Sequence, residues 1–198
     1  MSSRLIQKLR HRLLVMCSLL ALLPSAAQAR PGEISVESAT TRVNHSVHQL
    51  YARVNYSLPD VSTEALHNGV PLTFVVEAEV IRHRSWVWDE TIETTSLQYR
   101  LRYHALSESY QLINTETGNQ RSFRNLATAL RELGNIQKLP LVATAHLLPD
   151  ERHSIQIRAL LDIEALPLPL RSVAYMSPDW HVSSDWYVWQ PERTDPSP

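Results

Sequence analysis

The chain has 198 residues, of which 43% are hydrophobic and 20% are charged, and its formal net charge is −1. This average composition excludes collagen-like chains, long disordered chains and multi-span membrane proteins. A chain of this length forms one ordinary domain rather than two independent cores.

The N-terminus has the pattern of a secretory signal peptide over residues 1–29. Four basic residues and no acid precede an apolar run, Leu13 to Leu23, which Pro24 and a stretch of small residues follow. This pattern predicts cleavage between Ala29 and Arg30 and export from the cytoplasm. The alternative is an uncleaved segment that anchors the protein at the inner membrane, although 11 apolar residues are few for a helix across about 30 Å of hydrocarbon.

Cleavage would change both the charge and the cysteine content. The signal holds four of the 19 Lys and Arg residues, none of the 20 Asp and Glu residues, and the single cysteine, Cys17. The remaining 169 residues would carry 15 basic and 20 acidic side chains, a net charge of −5. Such an acidic chain lacks the basic field of a nucleic-acid-binding protein. A cysteine-free mature chain forms no disulfide and offers no thiol chemistry.

After the signal, alternation of apolar and polar residues predicts a series of strands. In chain order, these predicted strands cover residues 33–37, 49–56, 72–80, 97–103, 110–114, 155–164 and 180–188. The long strand at 72–80 has five apolar residues on one face, which we expect to line the core.

Helical patterns are short. Leu126, Leu130 and Leu133 share one helical face between Asn125, a possible N-cap, and Gly134, a possible terminator. Further short helices are expected from Asp60, as the cap of a turn through Ala65 that ends at Gly69, and from Pro140 to His146.

The segment Leu166-Pro167-Leu168-Pro169-Leu170 interrupts the strand before it. Two prolines remove two backbone donors, which predicts an extended edge strand or a crossover between sheets. A proline-rich docking segment is the alternative.

These elements predict a mainly β protein, an antiparallel β-sandwich of immunoglobulin-like size with two or three short helical insertions. The alternative fold is an α+β sheet with helices on one face. We expect a single β-rich domain over residues 30–190 and a flexible C-terminal tail over residues 191–198.

Catalytic and metal-binding motifs are absent from the sequence. It has no H-E-x-x-H, H-x-H or G-x-S-x-G motif, and its four glycines form no phosphate loop. His181, Ser183, Ser184 and Asp185 lie close together, but such proximity alone does not make a catalytic triad. Asp89 and Glu90 are interpreted as a solvated turn between two long strands rather than a glycosidase pair. We therefore predict no catalytic residue, no cofactor and no metal site.

The five tryptophans form two groups. They are the candidate partner-binding surface: Trp86, Trp88, Trp180, Trp186 and Trp189. Residues an even number of positions apart lie on the same face of a strand. This places Trp86 and Trp88 on one side of a strand end and Trp180 and Trp186 on one face of the last strand. Trp189 lies with Tyr187 on the other face of that strand. The tryptophans either cap one end of the core or contact a partner protein, a glycan or membrane headgroups.

Several motifs, in the same order, resemble one family. They are Asn68–Leu72, Trp86–Asp89, Tyr99–Leu106, Leu166–Tyr175, Ser177–Trp180 and Asp185–Tyr187. The family consists of exported bacterial proteins classed as a domain of unknown function, sometimes labelled proline-rich signal-peptide proteins, and the resemblance extends from Ile34 to Trp189. It implies a Gram-negative envelope protein. Because such genes often neighbour a membrane-bound two-component sensor kinase, it also implies a signalling accessory role. It brings no catalytic residues.

The leading hypothesis is a non-enzymatic periplasmic module that binds a partner, such as the extracytoplasmic part of a membrane sensor kinase. One alternative is a glycan- or peptidoglycan-binding module that uses exposed tryptophans as stacking platforms. Another is an envelope hydrolase of an unrecognised type, which would require a histidine, a serine and a carboxylate within hydrogen-bonding distance.

Overall fold

A computed structural model describes residues 32–86, 88–147 and 151–191. The predicted signal peptide, its cleavage site at Ala29 and Arg30, Cys17, and residues 192–198 of the predicted tail lie outside the described residues.

Two antiparallel sheets make up most of the described chain, as a mainly β sandwich requires. The smaller sheet has the order β1–β2–β7, with bounds Glu33–Asn44, Val47–Ser57 and Asn135–Ala143. The larger has the order β6–β5–β4–β3–β8–β9. Its strands, in chain order from β3, are Leu72–His83, Glu90–His104, Ser109–Asn114, Gln120–Phe123, Arg152–Leu161 and Tyr187–Trp189. The predicted fold class is therefore confirmed, and the α+β alternative is not the observed fold.

The core lies between the two sheets. Alternate residues of β2 (Leu50, Ala52, Val54 and Tyr56) are buried, as are the five predicted core residues of β3, which run from Leu72 to Val80. The rings of Tyr56 and Phe74 join the two sheets edge to face, with centroids 5.4 Å apart. On the opposite face of the larger sheet, polar pairs such as Glu77 and Arg158 link β3 to β8.

In the part of the chain that the structure describes, three short helices connect the strands: α1 (Asp60–His67), α2 (Leu126–Leu133) and α3 (Leu168–Met176). For α2, both the predicted helix and its predicted cap are confirmed, because the Asn125 side chain accepts a hydrogen bond of 2.8 Å from the backbone N–H of Thr128. The helical turn predicted after Asp60 is present as α1, which ends at His67, two residues before the predicted end at Gly69, and Pro59 rather than Asp60 occupies its N-cap position. No helix within the described ranges has the length and apolar character needed to cross a membrane.

Two predictions based on proline were wrong. Pro140 does not open a helix, because it lies within β7, an edge strand in which its missing N–H can be tolerated. A 3-10 turn follows at Thr144–His146. Pro167 and Pro169 are not in an extended crossover, because they occupy the N-cap and second positions of α3. Proline fits there because the first N–H groups of a helix have no intrahelical acceptor.

The end of the chain also differs from the prediction. The last strand, β9, covers three residues, and a 3-10 turn at Pro178–Trp180 replaces the start of the predicted strand. Ser183 makes only an isolated bridge to Leu160. Strands β6 and β7 carry little apolar alternation, and the sequence pattern missed them.

Candidate functional site at the β3–β4 hairpin tip

Strands β3 and β4, of 12 and 15 residues, are joined by a short loop that carries two tryptophans. We call residues 84–86, 88 and 89 of this loop the hairpin tip. Trp86 is 97% exposed and Trp88 is 89% exposed. Tryptophan side chains bury large areas when they meet a partner, so two fully exposed rings at one loop form an unusual apolar surface.

Ion pairs hold the base of the tip to the sheet. Arg84 pairs with Glu90 across the loop, and Arg82 lies 3.5 Å from Glu90 and 3.3 Å from Glu151. Exposed ion pairs contribute little stability one by one, typically ~0.2–1 kcal/mol. Together they connect both strands of the hairpin to the residue before β8. This fixes the position of the base of the tip relative to the larger sheet.

Three residues at the base of the tip form a serine–histidine–aspartate array. His83 Nδ1 lies 2.8 Å from Asp89 Oδ2, and His83 Nε2 lies 2.8 Å from Ser154 Oγ. Because an ionised carboxylate only accepts hydrogen bonds, the Nδ1–H donates to Asp89 and Nε2 accepts from the Ser154 hydroxyl. This is the order of groups that activates a serine nucleophile. Ser154 itself is only 6% exposed.

A second histidine lies beside this array, on the face that points into the protein. His153 is buried, and its Nε2 is 3.6 Å from Glu151 Oε2. Burial lowers the pKa of His153, an effect that the neighbouring Glu151 opposes. The imidazole is therefore held more strongly in its neutral form than an exposed histidine would be.

The five predicted surface tryptophans do not form one surface. Trp180 is 1% exposed and belongs to the core, so its prediction as a contact residue was wrong. Trp186 is half-buried beneath the guanidinium of Arg158, at 4.5 Å, and does not share a strand face with Trp180. Trp189 packs against the core from β9, next to Tyr187 as predicted, with ring centroids 6.1 Å apart. Only Trp86 and Trp88 remain fully exposed.

The other candidate stretch, His181 to Asp185, assembles no triad. His181 Nδ1 donates to the carbonyl of Ser177 at 3.1 Å. Ser184 is buried, accepts from the N–H of Ala159 at 3.0 Å and donates to the carbonyl of Asp185. The bond from Ala159 attaches the segment to β8. Among the described residues, no group of three or more His, Cys, Asp and Glu side chains is arranged to hold a metal ion.

One family model covers most of the chain. A family described as a domain of unknown function (DUF4390) matches residues 32–190. The chain belongs to this family. No curated protein and no solved structure matches the chain. The match covers both sheets, the hairpin tip and the array at its base.

Sequence reasoning missed the array because His83 and Ser154 are 71 residues apart. The predicted strands 72–80 and 155–164 stop short of both residues, and they do not reveal that the two strands are neighbours. Once β3 pairs with β8, Ile81 lies opposite Ser154. His83 is then the diagonal neighbour of Ser154 on the same face.

Proposed function

We propose that this protein is a periplasmic accessory module that binds the extracytoplasmic part of a membrane protein, such as a sensor kinase, through the hairpin tip. The observation that carries this proposal is the almost complete exposure of Trp86 and Trp88 on a braced loop. Tryptophan is among the residues that dominate binding energy at protein interfaces. A loop held by ion pairs loses less conformational freedom on binding than a free one.

The test is capture from detergent-solubilised envelope extracts on the immobilised chain and on the variant Trp86→Ala/Trp88→Ala. The proposal predicts that specific membrane proteins are retained by the wild type and lost from the variant. The matched control is Leu106→Ala, which removes a fully exposed apolar side chain outside the hairpin tip, between β4 and β5. This control should retain the same proteins.

Two parallel assays separate the other possible partners of an exposed tryptophan pair. One uses sedimentation with purified peptidoglycan, and the other uses vesicles of phosphatidylethanolamine and phosphatidylglycerol. Loss of peptidoglycan binding in the tryptophan variant, with no captured protein, would favour the glycan-binding alternative. Vesicle binding alone would favour a membrane-surface role. Either result contradicts the proposed protein partner.

The Ser154–His83–Asp89 array favours a second candidate, hydrolysis of an ester in the envelope. In that reaction Ser154 Oγ adds to the acyl carbon while its proton passes to His83 Nε2, and His83 then protonates the departing alcohol. Water, deprotonated by His83, releases the acid and regenerates the serine. Asp89 orients the imidazole through Nδ1–H. Because Ser154 is buried, this activity requires a local opening that exposes its hydroxyl while Asp89 keeps its hydrogen bond to His83.

This second candidate is tested by hydrolysis of p-nitrophenyl acetate and butyrate and by labelling with a fluorophosphonate. Activity supports it only when Ser154→Ala abolishes both signals, Asp89→Asn reduces the rate, and Ser107→Ala, a change in an exposed turn, leaves it intact. An inert wild-type chain rules out esterase activity and leaves the array as a hydrogen-bonded brace between β3 and β8.

A further inference from the structure

Strand β2 extends beyond its partner β7. The two strands pair from Val47 opposite Ala143 to Arg53 opposite Asn135. The next contact on that side is a hydrogen bond of 2.9 Å from the N–H of Val54 to the carbonyl of Gly134, the residue at which α2 ends. Strand β2 itself continues to Ser57. Its last residues therefore have β1 on one side and, within the described ranges, no strand on the other.

The direction of the free backbone groups follows from strand geometry. Both the N–H and the C=O of a strand residue point to the same side, and this side alternates along the strand. The backbone N–H of Val54 points to the side on which β7 lies. The backbone N–H and C=O of Tyr56 therefore point to the same side, beyond the residue at which β7 begins. Within the described chain, no backbone hydrogen bond joins Tyr56 to a neighbour on that side. One donor and one acceptor of Tyr56, a residue that is only 6% exposed, therefore have no backbone partner among the described residues at this edge.

A groove of about 720 Å³ follows this open edge. One wall is the end of β2 from Arg53 together with the following residue, Leu58. The other wall is α2, through Leu126, Ala127, Leu130 and Arg131. Thr63 of α1 and Glu37 of β1 complete the lining. A groove between an open strand edge and a helix is the arrangement in which an extended peptide adds as a further strand.

The charges of the groove indicate what the peptide carries. Arg53 and Arg131 are exposed lining residues, and neither takes part in an ion pair or a side-chain hydrogen bond among the described residues. Glu37 is the one acidic lining residue. Two free guanidinium groups against one carboxylate favour an acidic ligand, and Leu126 and Leu130 offer an apolar wall for a neighbouring side chain.

We propose that this groove binds an extended, acidic segment of a partner protein, which adds to β2 as a strand beside Tyr56. A carboxylate of the segment binds Arg53 and Arg131, and an apolar side chain packs on Leu126 and Leu130 of α2. This binding site is separate from the hairpin tip and does not depend on the function proposed there. A nucleic acid is excluded by the small size of the positive patch and by Glu37.

The probe is a displayed library of random heptapeptides, selected on the immobilised full chain. The proposal predicts enrichment of peptides with an acidic residue beside an apolar residue and no central proline. A selected peptide is then synthesised as two series, one with N-methyl groups at its odd-numbered residues and the other with N-methyl groups at its even-numbered residues. Only one of the two alternating series should abolish binding, because a strand donates to its neighbour from every second residue. The amide of Tyr56 should become protected from hydrogen exchange in the complex.

Variants of the groove locate the binding. Arg53→Glu and Arg131→Glu should each weaken the peptide at least about tenfold, and Ala127→Arg should block it by filling the groove. The control is Arg102→Glu, an exposed arginine on β4 that lies outside the groove. The proposal is overturned if no sequence is enriched, if the groove variants bind as the wild type does, or if both N-methyl series bind equally. A concentration-dependent dimer that Ala127→Arg abolishes would assign the groove to a second copy instead.

Discussion

The imidazole Nε2 of His83 lies 2.8 Å from the hydroxyl of Ser154, so the last residue of β3, just before the hairpin tip, is hydrogen-bonded to the start of β8. Ser154→Ala removes this hydrogen bond between two central strands. We expect a loss of about 1 kcal/mol in the free energy of unfolding, measured by urea denaturation. Ser107→Ala, in an exposed turn, should change it by less than ~0.5 kcal/mol. Equal effects of the two substitutions would show that the bond to His83 contributes nothing.

Some of the tryptophans are exposed and others are buried. We expect substitution of the exposed ones to leave stability unchanged and substitution of a buried one to lower it. Trp86→Ala/Trp88→Ala should leave the melting temperature within about one degree of the wild type, because neither ring packs against the fold. Trp180→Ala should cost about 3–5 kcal/mol, since it leaves a large cavity in the core. Quenching of tryptophan fluorescence by acrylamide should drop markedly in the double variant, which lacks the exposed rings, and should persist in Trp180→Ala. A destabilised double variant would mean that the tip packs on the protein.

Gly134 marks a close approach between the end of α2 and β2. A Cβ atom at this position would lie 1.9 Å from the carbonyl oxygen of Val54. We expect Gly134→Ala to destabilise the protein by roughly 2–3 kcal/mol, because two backbone segments must separate. The comparison is Gly118→Ala, where no atom lies within 4 Å and only the positive φ of +71° opposes a side chain. That change should cost about 1–2 kcal/mol. A smaller effect at Gly134 would contradict the close contact.

The buried histidines predict a loss of stability in acid. Burial lowers the pKa of both His48 and His153, so the folded chain binds these protons more weakly than the unfolded chain does. Stability is full above the ordinary histidine pKa of about 6.5 and decreases as the pH falls through that value towards the lowered folded-state pKa. His48→Gln/His153→Gln should flatten this decrease in a series of urea denaturations. The control is the same substitution at an exposed position, His104→Gln. An equally steep decrease in the double variant would contradict the contribution of the two buried histidines.

Local sequence patterns were sufficient to predict an element where the residues of that element alone define it. The alternation in β2, β3 and β8 predicted the strands and their buried faces, because a strand with one buried face needs an apolar residue at every second position. Helix α2 was predicted with its ends, since Asn125 and Gly134 supply the cap and the terminator within ten residues. The prolines misled because proline suits both an extended segment and the first turn of a helix.

The amino-acid sequence by itself determined the mainly β class, the core faces of the long strands, and the family motifs. The tertiary structure decided which tryptophans are exposed, because burial depends on what packs over a ring and not on its spacing. It also decided that His83 meets Ser154 and that the edge of β2 beside Tyr56 stays open. Both features arise from strand pairing between distant residues, and a local pattern contains no information about which strands become neighbours.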